Sequence, residues 1–305
     1  MFKNSFIVSN SPIFLKKGGF QMSLITTEKQ FESDIERFLI SEDGGWKKGT
    51  DQGYQDSNRV DMALDIETLI SFVKDTQPLS WKRFEKSCNS DINLKFYKAV
   101  EDAITSDGLV SVLRHGFKYR GMEFKLCYFL PESGLNKLAA ERYEKNICQC
   151  VRQWHYSKRN NNSVDMVLMI NGIPLVALEL KDQFTGQTVD DAMTQWISNR
   201  DARENCFRFN HRVLVYFAVD LHNVFMTTRL QGEDSRFLPF NQGSNGPGKK
   251  GGKGNPEQRQ NPDYPTAYLW KEVLQKDSLL DIMQKFISHQ VSKDNPQGKI
   301  IFPRY

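Results

Sequence analysis

A chain of 305 residues, 39% hydrophobic and 26% charged, can bury a sizeable core and suits a soluble globular protein of one large domain or two smaller ones. The net charge of +4 is only mildly basic, so charge neither establishes nor excludes a nucleic-acid partner. No apolar run reaches membrane-spanning length, and five cysteines, an odd number, predict reduced thiols in a cytoplasmic protein rather than a disulfide framework.

In chain order, Met1–Gln21 holds only short apolar pieces and no small-residue cleavage site, so it is expected to be a disordered extension rather than a secretory signal. Residues 27–40 carry amphipathic helical spacing that stops before Gly44 and Gly45, and 61–75 and 91–105 also read as helices. Leu109–Leu113 and Phe124–Leu130 are strand-like runs between polar turns, and 135–142 is helical. Two apolar runs follow around Asn171 and Gly172, then a helix over 188–200. Arg212–Val219 and Asn223–Thr228 read as strands, the first of them buried. Residues 241–263 form a loop rich in Gly, Pro and Lys, and 266–290 predicts two short helices. Intermixed strands and helices give an α/β fold with helices on the faces of a mixed sheet.

The two runs around Asn171 carry the chemistry. Ser163–Ile170 holds Asp165, and Ile173–Leu180 ends with Glu179, followed by Lys181. Acids and a lysine at the edges of buried strands are costly to desolvate unless compensated, and a divalent metal is the usual compensation. Strand alternation puts Glu179 and Lys181 on one face. A two-residue Asn171-Gly172 loop would set Asp165 opposite Leu178 and send Glu179 to the wrong face. A three-residue loop, with Ile170 included and Gly172 left-handed, sets Asp165 opposite Ala177 and diagonal to Glu179, so a functional site predicts that loop.

With the backbone carbonyl of Leu180, Asp165 and Glu179 are candidate magnesium ligands, since magnesium keeps several waters and needs few protein groups. Such a metal would polarise a phosphoryl oxygen and lower the pKa of a bound water, while Lys181 supplies a point charge to the phosphate or the attacking water. Glu32 and Glu36 share a face of the first helix, and Gln195 lies in the helix after the hairpin. Glu-x-Lys alone is weak: Glu123-Phe124-Lys125 repeats it without a partner acid, and an exposed ion pair at a strand end explains it equally well.

Other motifs carry less. Arg152, Lys158 and Arg159 sit among aromatic residues ahead of the acidic strand and are candidate DNA contacts, with an edge strand running into a turn as the plainer reading. Gly243, Gly248 and Lys249 approach a phosphate loop, but Lys250 stands where Ser or Thr should hold magnesium. Cys148 and Cys150 lack a second zinc-spaced pair, and the histidines at 115, 155, 211, 222 and 289 show no ligand spacing.

The stretch from Asp165 to Lys181 resembles the PD-(D/E)xK nuclease core. From about residue 22 onward the chain is similar to the amino-terminal region of the R subunit of type I restriction enzymes. The pieces that carry this are Phe31-Glu32 before Gly44-Gly45-Trp46, Ser163–Leu168, Asn171–Lys181, Thr185-Gly186-Gln187, Ala192–Trp196 ahead of Arg200-Asp201, Tyr216–Asp220, Phe237–Asn241 and Thr266–Trp270. The resemblance implies a restriction-endonuclease-like mixed sheet over 22–240 and a helical connector over 264–305 leading toward an ATP-driven translocase beyond this sequence. It maps Asp165, Glu179 and Lys181 onto the catalytic triplet, Glu32 onto the helical acid and Gln195 onto the helical glutamine. Trp196 and Asn199 stand where the family often has tyrosine, and Asp182 where it often has asparagine. The implied function is magnesium-dependent cleavage of double-stranded DNA alongside methyltransferase and specificity subunits, with ATP used only by the motor. A non-catalytic DNA-clamping or docking module, or a stand-alone nuclease, remain the alternatives.

Overall fold

Thr27 opens the first helix, α1 (Glu28–Leu39), by accepting the Gln30 backbone N–H on its hydroxyl at 3.2 Å. Its inward stripe is Phe31, Ile35 and Leu39, and Glu32 and Glu36 are buried beside it. This computed structural model describes residues 27–51, 59–132, 136–182, 186–257, 263–293 and 295–303. The expected extension at 1–21 therefore lies outside the described residues.

After β1 (Lys47–Lys48) comes a helical layer: α2 (Arg59–Met62), α3 (Ile66–Thr76), α4 (Pro78–Ser87), α5 (Ile92–Asp107) and α6 (Leu109–His115). A small hairpin, β2 (Phe117–Tyr119) with β3 (Met122–Phe124), and α7 (Lys137–Glu144) lead into the sheet. The sheet strands are β4 (Cys148–His155), β5 (Ser163–Ile170), β6 (Ile173–Leu180), β7 (Val215–Val219), β8 (Val224–Thr227) and β9 (Leu238–Pro239), with α8 (Val189–Ser198) between β6 and β7. Seven strands pair in the order β1-β4-β5-β6-β7-β8-β9. The β1–β4 and β6–β7 pairs are parallel and the others antiparallel, giving the expected mixed sheet.

Both faces of the centre are covered, which is why β5 and β6 are almost wholly apolar. Leu168, Val176, Leu178 and Phe217 join Phe31, Ile35 and the C-terminal Trp270 and Leu279 in one core cluster. Val167, Ala177, Tyr216 and Ala218 join Ala192 and Trp196 of α8 in the other.

Three expectations are corrected. Leu109–Leu113 is helix, not strand: it sits between Gly108 and Gly116, at φ +77° and +72°, and buries Leu109, Val110, Val112 and Leu113. That spacing fits a helix face as well as a strand, and two flanking glycine caps decide it. Within Phe124–Leu130 only Phe124 pairs in a strand. The C-terminal segment contains α9 (Lys276–Asp281) between two wide helical turns, as expected, but then forms a hairpin of β10 (Ser288–Ser292) and β11 (Asn295–Ile301). Asn295 donates its N–H to Ser292 Oγ and accepts the Gly298 N–H on Oδ1. Among the described residues, no helix is long and apolar enough to cross a membrane.

Candidate active site

The β5–β6 turn contains two residues. Ile170 pairs with Ile173, and Asn171 and Gly172 have φ of +52° and +80°, the signature of a type I′ turn. The expected three-residue loop is absent. Parity is restored by a bulge: Met169 pairs with Pro174 while Leu168 pairs with Val176, so Leu175 is the extra residue. Pro174 has no N–H to contribute to a ladder, which makes a bulge beside it inexpensive. Beyond it Met166 pairs with Leu178, the last pair of the ladder, and Asp165 and Glu179 are the next residue on each strand.

The tip is held from outside. Asn171 is fully buried; its N–H and side-chain oxygen bond the Ile147 carbonyl and N–H, and its amide donates to Leu126 O. Gly172 O accepts the Asp65 N–H at 2.9 Å.

At the other end of the hairpin the predicted residues converge. Asp165 Oδ2 accepts the Leu180 N–H at 2.8 Å, and Oδ1 accepts Gln153 Nε2 at 3.3 Å. Glu179 is fully buried and Oε1 accepts Arg200 through Nε at 3.0 Å and Nη2 at 2.5 Å, while Oε2 has no hydrogen-bond partner. Lys181 Nζ faces Glu28 Oε1 at 3.6 Å. Glu32, from α1, accepts Arg152 Nε at 2.7 Å and Gln153 Nε2 at 3.3 Å. One end of the sheet thus brings together Glu28, Glu32, Asp165, Glu179 and Lys181.

Electrostatically the cluster is short of positive charge. Burial pushes the Asp165 carboxyl above its ordinary value, against the Leu180 N–H and the Lys181 charge. Burial, then Asp165, pushes Glu179 well above its own value, although Arg200 opposes this. Glu28 is also raised, by burial first and in part by Asp165. Two opposed carboxyls that resist joint ionisation form a site that a cation would relieve.

Of the remaining candidates, only Arg152 touches this cluster, through Glu32. Gln195 is half-buried on α8, and among the described residues no hydrogen bond ties its side chain to the acids. Arg152 is committed to Glu32 and Glu36, and Lys158 pairs with Asp61 at 2.7 Å at the surface. Arg159 is exposed. Cys148 and Cys150 are buried, and burial pushes the Cys148 thiol up to about 12.

Two residues of the site escaped sequence reasoning. Gln153 bridges Glu32 and Asp165 from a left-handed backbone, φ +48°, inside β4, a strained conformation of the kind that gathers at functional sites. Arg200 stood in view, beside Asp201 just beyond the glutamine helix, but nothing local linked it to Glu179.

A mixed seven-strand sheet flanked by helices is a restriction-endonuclease-like fold, and comparison with known sequences gives the family. The model of the family described as type I restriction enzyme R protein N terminus matches residues 32–235, and the chain belongs to that family. It is 28% identical over 172 residues to a putative type I restriction enzyme MjaVIIIP endonuclease subunit of Methanocaldococcus jannaschii. That match covers 53% of this chain and 14% of the relative's length.

Proposed function

We propose that this chain is the magnesium-dependent DNA endonuclease domain of a type I restriction R subunit. It would act in the cytoplasm on double-stranded DNA delivered by an ATP-driven motor, in assembly with methyltransferase and specificity subunits. The observation that carries the reading is the opposition of buried Asp165 and Glu179 across β5 and β6, with Glu179 Oε2 unpartnered and Lys181 two residues on. Family membership and the name of the archaeal relative support it.

Among the described residues no three His, Cys, Asp or Glu side chains form a ready-made metal cage. Two carboxylates and the Leu180 carbonyl nevertheless fit magnesium, which holds few protein ligands and keeps its waters. An orphaned buried carboxylate oxygen is the donor such an ion would use. When bound, magnesium supplies Lewis acidity at a phosphoryl oxygen and an acidified water.

The chain's own residues do the rest. Asp165 is fixed by the Leu180 N–H, so its position depends on the β5–β6 register and not on a flexible loop. Lys181, 6% exposed, presents its charge at the mouth of the acid pair, where it would balance the phosphate and orient the attacking water. Glu28 holds that ammonium in place.

Calorimetric titration of magnesium into the wild-type chain, Asp165→Ala and Glu179→Ala tests the reading. Binding in the wild type that both variants lose is expected. Identical heats in three folded proteins would refute the metal site.

A further inference from the structure

We infer that Arg200 is a positioning residue for Glu179, selecting which carboxylate oxygen is presented to the metal; this rests on the nuclease reading above. Both contacts made by the guanidinium, from Nε and from Nη2, go to Oε1. An arginine meeting a carboxylate commonly spans both oxygens in a fork. Here the second oxygen is left bare and buried. Arg200 therefore fixes the carboxylate's rotation and balances its charge while keeping Oε2 open.

The guanidinium is itself held on several sides. Nη2 donates to the Ser163 carbonyl at 2.6 Å, at the start of β5. The rings of Tyr156 and Trp196 lie 5.5 Å and 6.0 Å from its centre. Trp196 is in turn fixed by donating its indole N–H to Phe217 O at 3.0 Å, in β7. Arg200 follows directly on Asn199, the C-cap of α8. The helix that carries Gln195 is thereby joined to Glu179 through one side chain, and Arg200 also ties the start of the Asp165 strand to the end of the Glu179 strand. Substituting a group that orients a metal ligand typically lowers affinity 10–100-fold.

The test is magnesium calorimetry on the folded chain with Arg200→Met and Arg200→Lys, alongside wild type and Asp165→Ala. Arg200→Met is expected to weaken magnesium binding at least tenfold, and Arg200→Lys, which keeps the charge without the two-nitrogen grip, to recover part of that loss. A folded Arg200→Met protein that binds magnesium within twofold of wild type overturns the inference while leaving the metal site standing. Where Arg200→Met fails to fold, Arg200→Lys decides: unchanged affinity overturns the positioning role, and weakened affinity in a protein with wild-type thermal stability supports it. Wild-type binding that is absent, or insensitive to Asp165→Ala, removes the underlying reading and the inference with it.

Discussion

The tip of the acidic hairpin leaves little room for a side chain, and Gly172→Ala measures how little. A Cβ built there lies 2.3 Å from Asp65 O and 2.9 Å from Asp65 Cβ, and the backbone is at φ +80°. The left-handed conformation alone costs about 1 kcal/mol for an L residue. The clash adds more, because Asp65 cannot retreat freely. Its N–H bonds Gly172 O, and its carboxylate caps α3 by accepting the Thr68 N–H at 3.0 Å and the Thr68 hydroxyl at 2.7 Å. Moving Asp65 away sacrifices a cap worth about 1 kcal/mol and a backbone hydrogen bond worth about 1 kcal/mol. Gly172→Ala should therefore destabilise by about 3 kcal/mol.

The molecule contains its own control. Gly121, between β2 and β3, has φ +76°, follows left-handed Arg120, and has open space where a Cβ would go. Gly121→Ala should show only the conformational part, about 1 kcal/mol. Equilibrium urea unfolding of the two variants isolates the steric part as their difference. Equal losses, within about 0.5 kcal/mol, would refute the reasoning that Asp65 is the obstacle.

Asp165→Asn keeps an acceptor for the Leu180 N–H but removes a carboxylate whose pKa burial raises. A raised acid favours the fold below its ordinary value of ~3.9 and loses that advantage as pH rises through the higher folded value. Asp165→Asn should therefore melt higher than wild type at pH 7, and the gap should close toward pH 4 in thermal scans, while magnesium binding is lost. Glu101 has the opposite sign: burial raises it, but the His211 hydrogen bond and Arg212 outweigh this and hold it below its usual range. Its stabilisation is present above pH ~4.3 and lost as pH falls through the lower folded value. Arg212 is 1% exposed, so Glu101→Gln should cost about 3 kcal/mol at pH 7 and less in acid, read by urea midpoints. Lys181→Met removes the charge facing Glu28 without removing a proposed ligand. It should leave magnesium affinity within a fewfold of wild type and abolish DNA cleavage by the assembled enzyme; retained cleavage would exclude Lys181 from the chemistry.

Much of this molecule is written locally. The helix from Glu28, the existence of a hairpin at Asn171-Gly172 though not its loop length, the apolar runs of β5 and β6 and the polarity break at Asp165, Glu179 and Lys181 follow from side-chain period, capping and turn chemistry, which act over a few residues. The acidic hairpin was legible for that reason, its mapping onto a catalytic triplet came from the family resemblance, and the mixed sheet followed in outline. Where two local readings share one spacing, as at Leu109–Leu113, glycine caps and burial against distant elements chose between them.

Register and partnership were decided only by the tertiary structure. The bulge at Leu175 lies in a strand paired on both sides, with β5 and with β7. It sets Asp165 against Glu179 by a route that loop parity does not reveal. Arg200 reaches Glu179 across 21 residues of sequence, and Arg152 reaches Glu32 across 120. Burial makes those partners obligatory, since a desolvated charge must find a counter-charge. Which counter-charge it finds is a matter of what the packed sheet and helices bring within reach.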